Sequence, residues 1–325
     1  MAHLYVAAAH KSSGKTTVSV GLTATLAERG HRLQTFKKGP DYIDPLWLAR
    51  ASGNPCYNLD FFTQSHDEII DSFNRYMAGN RFGLIEGNKG LFDGLDVEGS
   101  DSNAALATML VAPVILVIDT VGMTRGIAPL IRGYLRFDPD VEIAGVVLNK
   151  VGGSRHETKL RTAIEYYTDA EVVGAIGRDD SLVIPERHLG LVPANEAGGS
   201  NDAGTMIARL ARAVSDGLDI DRIIEIARSA RQPAGSGDRT AAADVRAGQA
   251  RPDVRIAVAR DAAFGFYYQA DLEAFDRPGA ELVMCDTLED EHLPEADGLF
   301  IGGGFPETQL EKLAANRNLM GEIHQ

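Results

Sequence analysis

Residues 9–17, AHKSSGKTT, place a glycine, a lysine and two threonines between an apolar run and a helical pattern. The backbone N–H groups of such a loop, at the N-terminus of a helix, bind phosphate oxygens. Lys15 would reach the β- and γ-phosphates of a nucleotide, and the hydroxyl of Thr16 would bind Mg²⁺. The loop departs from the pattern G-x-x-x-x-G-K-[ST] only at Ala9, a compact replacement for the first glycine. The predicted phosphate-binding residues are Ser12, Ser13, Gly14, Lys15, Thr16 and Thr17.

Two further segments carry acidic side chains after predicted strands, FKKGPDYIDP at residues 36–45 and EGNKGLFDG at residues 86–94. Ligands of an open parallel sheet bind beyond the carboxyl ends of its strands, so both segments should face the same crevice as the phosphate loop. Carboxylates together with phosphate oxygens are ligands that Mg²⁺ prefers. The acidic candidates are Asp41, Asp44, Glu86 and Asp93, and the cations that would neutralise a phosphate or an anionic substrate are Lys37, Lys38 and Lys89. The alternative is that these are solvated loop charges.

Short apolar runs alternate with helical patterns along the chain. Runs that are apolar throughout are typical of strands buried on both faces of a parallel sheet. Strands are predicted at residues 4–9, 33–36, 82–86, 114–119, 143–149, 254–259, 282–284 and 299–301, and helices at residues 15–29 and 157–167. We therefore expect an α/β protein, with a parallel sheet, helices on both of its faces and right-handed connections.

The chain of 325 residues has 32 Lys and Arg against 46 Asp and Glu, a net charge of −14. An acidic balance disfavours a general nucleic-acid-binding protein. The sequence has neither an apolar run long enough to cross a bilayer nor a basic signal-peptide region, so we expect a cytoplasmic protein without a membrane partner. Cys56 and Cys285 are too few for a disulfide framework.

A change of composition divides the chain. Residues 231–253 are rich in Pro, Gly, Ala and charge, with Val245 as the one large apolar residue, which is typical of a flexible linker. This predicts a P-loop domain at residues 1–230, a linker at 231–253 and a second, shorter α/β unit at 254–325.

The same segments resemble the cobyrinic acid a,c-diamide synthase family. The resemblance covers FKKGPDYIDP, NLD at residues 58–60, EGNKGLFDG, DPDVEIAGVVLNKVGGSRH at 138–156 and IPERHLGLVPANE at 184–196. RIAVARD at 255–261 and LFIGGGFPE at 299–307 resemble the start of that family's class I glutamine amidotransferase domain. The resemblance implies ATP-dependent amidation of acetate side chains of a tetrapyrrole through an acyl phosphate, with ATP and Mg²⁺ bound and ammonia normally taken from glutamine.

The resemblance also implies roles for individual residues. The catalytic candidates are Lys15, Asp41, Tyr42, Asp44, Glu86 and Asp93. Metal ligands would come from Thr16, Asp41 and Glu86, and substrate contacts from Lys38, Tyr42, Asp44 and Lys89. Asn149 would read the adenine edge, although an asparagine that caps its own turn explains that position nearly as well.

The chain departs from the family pattern at two places. EGNKGLFDG has Asn88 and Lys89 where the family commonly has EGVMGLFDG, and an added lysine would suit a more carboxylate-rich macrocycle such as a sirohaem. The amidotransferase nucleophile, a cysteine that follows the GGG-[FY]-P-E loop, is not reached before Gln325. Cys285 precedes that loop and is better explained as a packed strand-end residue. We therefore expect a C-terminally truncated chain that lacks glutaminase activity; the alternative is that a partner supplies this activity.

Two other functions fit parts of the sequence. A dethiobiotin-synthetase-like ligase would use a related P-loop, but it does not explain the linker and the GGGFPE unit. A partitioning-type ATPase switch usually has a further lysine where this chain has His10, and it would need a basic or amphipathic docking surface. The resemblance leaves both a monomer and a homodimer open.

Overall fold

The computed structural model describes residues 1–79, 81–187, 190–196, 202–234, 253–275 and 279–324. Within these residues, a seven-stranded parallel sheet has the order β3-β2-β4-β1-β5-β6-β7. Its strands are β1 (Ala2–Ala8), β2 (Leu33–Lys38), β3 (Cys56–Leu59), β4 (Phe82–Glu86), β5 (Val114–Asp119), β6 (Ile143–Val151) and β7 (Val172–Gly177). The α/β fold class with a parallel sheet is confirmed.

Helices cover both faces of this sheet. They are α1 (Lys15–Glu28), α2 (Asp44–Ser52), α3 (His66–Tyr76), α4 (Asn103–Met109), α5 (Ile127–Phe137), α6 (Ser154–Tyr167), α7 (Ala203–Gly217) and α8 (Ile220–Ser229). The side chains of α1, α2, α7 and α8 pack into one core cluster, and those of α3 to α6 pack into the cluster on the opposite face. Helix α7 lies so close to α1 that a Cβ at Gly21 would be 2.7 Å from the carbonyl oxygen of Leu210.

The remaining elements form a second, smaller unit and a short hairpin. The hairpin pairs β8 (Glu186–Arg187) with β9 (Gly190–Leu191). The second unit has a parallel sheet in the order β12-β10-β13 and an antiparallel pair of β11 with β14. Its elements are β10 (Val254–Ala259), β11 (Phe264–Phe266), α9 (Gln269–Phe275), β12 (Ala280–Cys285), β13 (Gly298–Ile301), β14 (Gly303–Gly304), α10 (Leu310–Ala315) and α11 (Arg317–His324).

The structure differs from the sequence-based prediction at several strands. Strand β2 continues through Lys37 and Lys38, which were expected in the following loop. Strands β3 and β7 were not predicted, because one is only four residues long and the other contains two glycines. Most of the predicted linker lies outside the described residues. In the described part of the chain, no helix is both long enough and apolar enough to cross a membrane.

Candidate functional site

The carboxyl ends of three neighbouring strands form one crevice. Strand β4 pairs with β1 on one side and with β2 on the other, all in parallel, so the segments that follow these strands emerge side by side. These are the phosphate loop after β1, residues 39–44 after β2 and residues 87–94 after β4. The predicted shared crevice is therefore present.

The phosphate loop has the backbone of a phosphate-binding turn. Gly14 has a φ of +92°, a conformation that favours glycine, and a Cβ there would lie 2.1 Å from Asn149 Nδ2. Ser12 also has a positive φ of 63°. Ala9 is not among the described residues with a positive φ, and its carbonyl oxygen accepts a hydrogen bond from the Tyr134 hydroxyl. Alanine is therefore compatible with the place of the first glycine.

Lys15 begins α1 and points across the crevice. Its Nζ donates to the carbonyl oxygen of Lys89 at 2.8 Å, and the residue is 8% exposed. Burial, followed by repulsion from Lys37, lowers the pKa of Lys15 to about 8. The described hydrogen-bond acceptor of this ammonium is a neutral carbonyl, and the group has little contact with water. Such an ammonium is suited to bind an incoming phosphate.

The buried ammonium of Lys37 joins the predicted carboxylates. Its Nζ lies 2.5 Å from Asp44 Oδ2, 3.1 Å from Glu86 Oε1 and 3.6 Å from Asp41 Oδ2. It also donates to the carbonyl oxygen of Gly87 at 3.0 Å. The sequence suggested that Lys37 neutralises a phosphate or a substrate anion, whereas the structure places it among the protein's own carboxylates.

The carboxylates of this cluster differ in their pKa values. Burial raises the pKa of Glu86 to about 6 and outweighs the attraction of Lys37. Burial also raises the pKa of Asp41. For Asp44, the bonded Lys37 ammonium overcomes the effect of burial and lowers the pKa. The three carboxylates hold the pKa of Lys37 well above its ordinary value, although burial opposes this.

Thr16 and Glu86 fit an Mg²⁺ ion that also contacts phosphate. The Thr16 hydroxyl donates to Glu86 Oε1 at 2.7 Å. The other carboxylate oxygen, Oε2, is buried without a hydrogen-bond partner in the described structure, which a cation would supply. No group of three or more acidic, His or Cys side chains among the described residues could bind a metal ion by itself. The geometry therefore fits an ion that takes most of its ligands from phosphate and water.

Asp41 and Asp93 contact their own loops. Asp41 Oδ1 accepts from the backbone N–H groups of Ile43 and Asp44, each at 3.0 Å, at the point where the loop meets the start of α2. Asp93 is exposed, and its Oδ2 accepts from the Gly90 N–H at 2.9 Å. The metal role of Asp41 and the catalytic role of Asp93 stay predictions.

Two predicted substrate lysines lie beside this cluster. Lys38 is buried, and its ammonium lies 5.7 Å from the centre of the Phe61 ring. Lys89 is exposed with a φ of +40°. Burial lowers the pKa of Lys38, and the charge of Lys89 lowers it further, against the effect of Asp101. The positive charge of Lys89 therefore repels that of Lys38, and an anionic substrate would reduce this repulsion.

Tyr42 stands at the rim of the crevice and is 40% exposed. Its ring lies 5.8 Å from that of Phe266 in a stacked arrangement and 4.8 Å from that of Tyr268. Both partners belong to the second unit. Sequence reasoning did not identify either of them, because the pairing joins residues far apart in the chain.

Asn149 supports the phosphate loop. Its Nδ2 donates to the Ser13 carbonyl at 2.8 Å, and its backbone carbonyl oxygen accepts from the Thr120 hydroxyl. A pocket of about 360 Å³ lies beside it, lined by Gly14, Thr17, Asp119, Asn149, Lys150 and Arg178, among others. The pocket is placed for a base, while the described hydrogen bond of Asn149 is to the loop.

The second unit shows no activated cysteine in its described residues. Cys285 ends β12, is 1% exposed and has a pKa raised to about 11, chiefly by burial. A thiol in this state is protonated at neutral pH and is a poor nucleophile. The structure therefore agrees with Cys285 as a packed strand-end residue.

Comparisons with known proteins match both units. Residues 5–192 match the model of the CobQ/CobB/MinD/ParA nucleotide binding domain. Residues 255–325 match the CobB/CobQ-like glutamine amidotransferase domain. Among solved structures, chloroplast FtsY from Physcomitrella patens is similar over 64% of this chain and 65% of its own, with 15% identity and a TM-score of 0.41.

Curated relatives match almost the whole chain. A cobyrinate a,c-diamide synthase of Magnetococcus marinus is 46% identical over 98% of this chain and 68% of its own length. The enzyme of that name from Dehalococcoides mccartyi is 43% identical over 97% of this chain and 67% of its length. That of Methanosarcina acetivorans is 41% identical over 98% and 65%. The chain thus spans about two thirds of the length of these relatives.

Proposed function

Because the chain belongs to the cobyrinate a,c-diamide synthase family, a family of amide-forming ligases, we propose that it uses ATP to amidate acetate side chains of a tetrapyrrole. The division of labour would follow the two units, with amidation at residues 1–230 and glutamine as the ammonia source through the unit that includes residues 254–325. The observation that carries the proposal is the crevice where Lys15, Thr16 and the buried Asp44–Lys37–Glu86 cluster meet.

A carboxylate is a poor electrophile until one of its oxygens becomes part of a leaving group. Transfer of the γ-phosphoryl group of ATP to the substrate carboxylate gives an acyl phosphate, and ammonia then displaces phosphate. The transfer depends on positioning and on neutralising charge. Lys15 and the N-terminus of α1 supply this positive charge at a place shielded from water.

Thr16 and Glu86 would hold Mg²⁺. When bound, the ion neutralises charge on the phosphates. The Lys37 ammonium favours the ionised forms of Glu86 and Asp44 and fixes their oxygens, since it contacts both. Asp44 lies on the substrate side of this cluster in the proposal, where it orients the reacting carboxylate or ammonia.

The macrocycle would bind at the rim of the crevice near Tyr42. Lys38 and Lys89 suit its remaining carboxylates. Lys89 departs from the pattern typical of the family. Its exposed side chain suits a more carboxylate-rich macrocycle, so a sirohaem is a candidate substrate in addition to cobyrinic acid. The amidotransferase match and the named relatives favour this ligase over the dethiobiotin-type and partitioning-type alternatives.

Mass spectrometry of reactions that contain ATP, Mg²⁺ and ammonium tests the proposal. Cobyrinic acid, sirohaem and nickel-sirohydrochlorin would be compared, with the Lys15→Ala variant as the control. A product in which one or two hydroxyl groups have become amino groups, absent with the variant, is expected for one macrocycle. No mass change with any of the three, while ATP binds, would contradict the tetrapyrrole proposal.

A further inference from the structure

The second unit contributes two aromatic rings to the rim of the ligase crevice. Tyr42 stacks on Phe266 with an interplanar angle of 13°, and the ring of Tyr268 approaches it at 32°. These rings come from β11 and from the residues between β11 and α9. Tyr42 is the aromatic residue that the proposed function places against the macrocycle.

Tyr268 is also hydrogen-bonded to a residue that packs beside the loop carrying Tyr42. Its hydroxyl donates to Asp60 Oδ2 at 3.0 Å. Asp60 is 2% exposed and packs against the start of the same loop, since a Cβ at Gly39 would lie 2.6 Å from the Asp60 Cβ. Tyr268 therefore contacts the loop after β2 directly through the Tyr42 ring, and its hydroxyl is bonded to Asp60, which follows β3 and lies beside the start of that loop.

The segment that carries Tyr268 is anchored on both sides. Upstream, the Phe266 ring packs edge-on at 5.2 Å against Phe305, which is 1% exposed and belongs to the same core cluster as the side chains of α1, α2, α7 and α8. Downstream, Glu273 of α9 accepts hydrogen bonds from the hydroxyls of Tyr57 at 2.6 Å and Tyr76 at 2.9 Å. These contacts hold Tyr268 at a defined position on the large unit.

From these contacts we infer that Tyr268 of the amidotransferase-like unit is a positioning residue of the ligase site, which orients the Tyr42 ring against the face of the bound macrocycle. The inference rests on the proposed function. It predicts that a residue outside the P-loop unit determines the affinity for the macrocycle, even in the ammonium-driven reaction, where no glutamine is used.

The test uses the full chain with ATP, Mg²⁺ and ammonium, and measures KM for the macrocycle and KM for ATP. Loss of the ring in Tyr268→Ala should raise KM for the macrocycle about tenfold, the upper range for one aromatic pair, and leave KM for ATP within about twofold. Tyr268→Phe keeps the ring and loses the bond to Asp60, so it should restore most of the affinity.

Phe275→Ala is the matched control. It removes an aromatic ring from the same unit, but that ring packs at 5.3 Å against Phe300, away from Tyr42. This variant should leave both KM values unchanged. Equal effects of Phe275→Ala and Tyr268→Ala, or a rise of KM for ATP equal to that for the macrocycle, would overturn the inference in favour of a general structural contact.

A double-mutant cycle shows whether Tyr268 acts through Tyr42. In a Tyr42→Ala background, Tyr268→Ala should have little further effect on KM for the macrocycle. Independent, multiplicative effects would overturn the inference.

Titration of macrocycle absorbance without ATP separates this inference from the proposed function. Binding that weakens in Tyr268→Ala supports the positioning role even if no amide forms, an outcome that would contradict the proposed function alone. Absence of binding to the wild-type chain would overturn both.

Discussion

The two sheets of the molecule differ in how far their charged side chains are buried. In the large sheet, Lys37 is buried, with a side chain 2% exposed, and its partner Glu86 is completely buried. In the small sheet, Arg255 of β10 pairs with Glu281 of β12 at 2.9 Å, and these side chains are 36% and 49% exposed. The large sheet has helices on both faces, whereas residues such as Met284 and Ile301 of the small sheet are 46% and 42% exposed.

This difference shows which of the two sheets holds charged side chains away from water. A charge separated from water interacts strongly with its neighbours, and it needs a rigid scaffold that supplies all of its partners. The large unit provides this at the ends of β1, β2 and β4. The small unit contributes aromatic contacts, and its sheet carries the solvated ion pair of Arg255 with Glu281.

The two sheets should differ most in the free energy of unfolding that is lost when one cation is removed from each. Lys37→Met leaves Asp44 and Glu86 buried without their shared partner, which should cost roughly 3–5 kcal/mol of unfolding free energy. Arg255→Met removes an exposed pair and should cost no more than about 1 kcal/mol. Urea denaturation followed by circular dichroism measures both. Similar losses in the two variants would contradict the comparison.

Removal of the Lys15 ammonium should mainly affect catalysis. Lys15→Ala should lower ATP-dependent amidation at least about a hundredfold, as expected for one donor aimed at the transferred group. Stability should change little or increase, because the variant removes a poorly solvated charge. Initial rates at saturating ammonium provide the measurement, and a rate close to that of the wild type would remove Lys15 from the site.

The lowered pKa of Lys15 should make nucleotide binding in the crevice depend on pH. This pKa is lowered to about 8, so the ammonium loses its proton as the pH rises through that value. The dissociation constant of ATP should increase up to about tenfold per pH unit above pH 8. Lys15→Arg stays protonated and should abolish the slope. A pH-independent wild-type dissociation constant from pH 7.5 to 9.5 would show that Lys15 does not contact phosphate.

A smaller effect is expected at Asn149, whose amide donates to the phosphate loop at Ser13. Asn149→Ala removes one buried hydrogen bond, which corresponds to about 0.5–1.5 kcal/mol, so ATP affinity should fall severalfold. Competition between ATP and GTP distinguishes the two proposed roles. Equal loss for both nucleotides indicates support of the loop, whereas loss for ATP alone indicates contact with adenine.

The sequence predicts the crevice well, because its signals are local. Continuous apolar runs mark the central strands, and the glycine, lysine and threonine of the phosphate loop carry their own geometry. Parallel strands then bring Asp44 and Glu86 to the same edge as Thr16, which the observed hydrogen bonds confirm.

The features that the sequence did not predict are those that depend on residues far apart in the chain. Lysine is rarely buried, so nothing in the sequence indicates that Lys37 lies inside β2 among carboxylates. The pairing of Tyr42 with Tyr268 depends on how the second unit packs on the first. The short strand β3 has two polar residues among its four, and its place beside β2 is decided by the sheet.

Transfer of oxygen from the substrate carboxylate to phosphate tests the central claim most directly. The macrocycle would be labelled with ¹⁸O in its acetate carboxylates and incubated with the protein, ATP, Mg²⁺ and ammonium in ordinary water. If the crevice phosphorylates the carboxylate, each amide formed releases one phosphate that carries one ¹⁸O atom. Amide formation with unlabelled phosphate would contradict an acyl phosphate and the role assigned to the crevice.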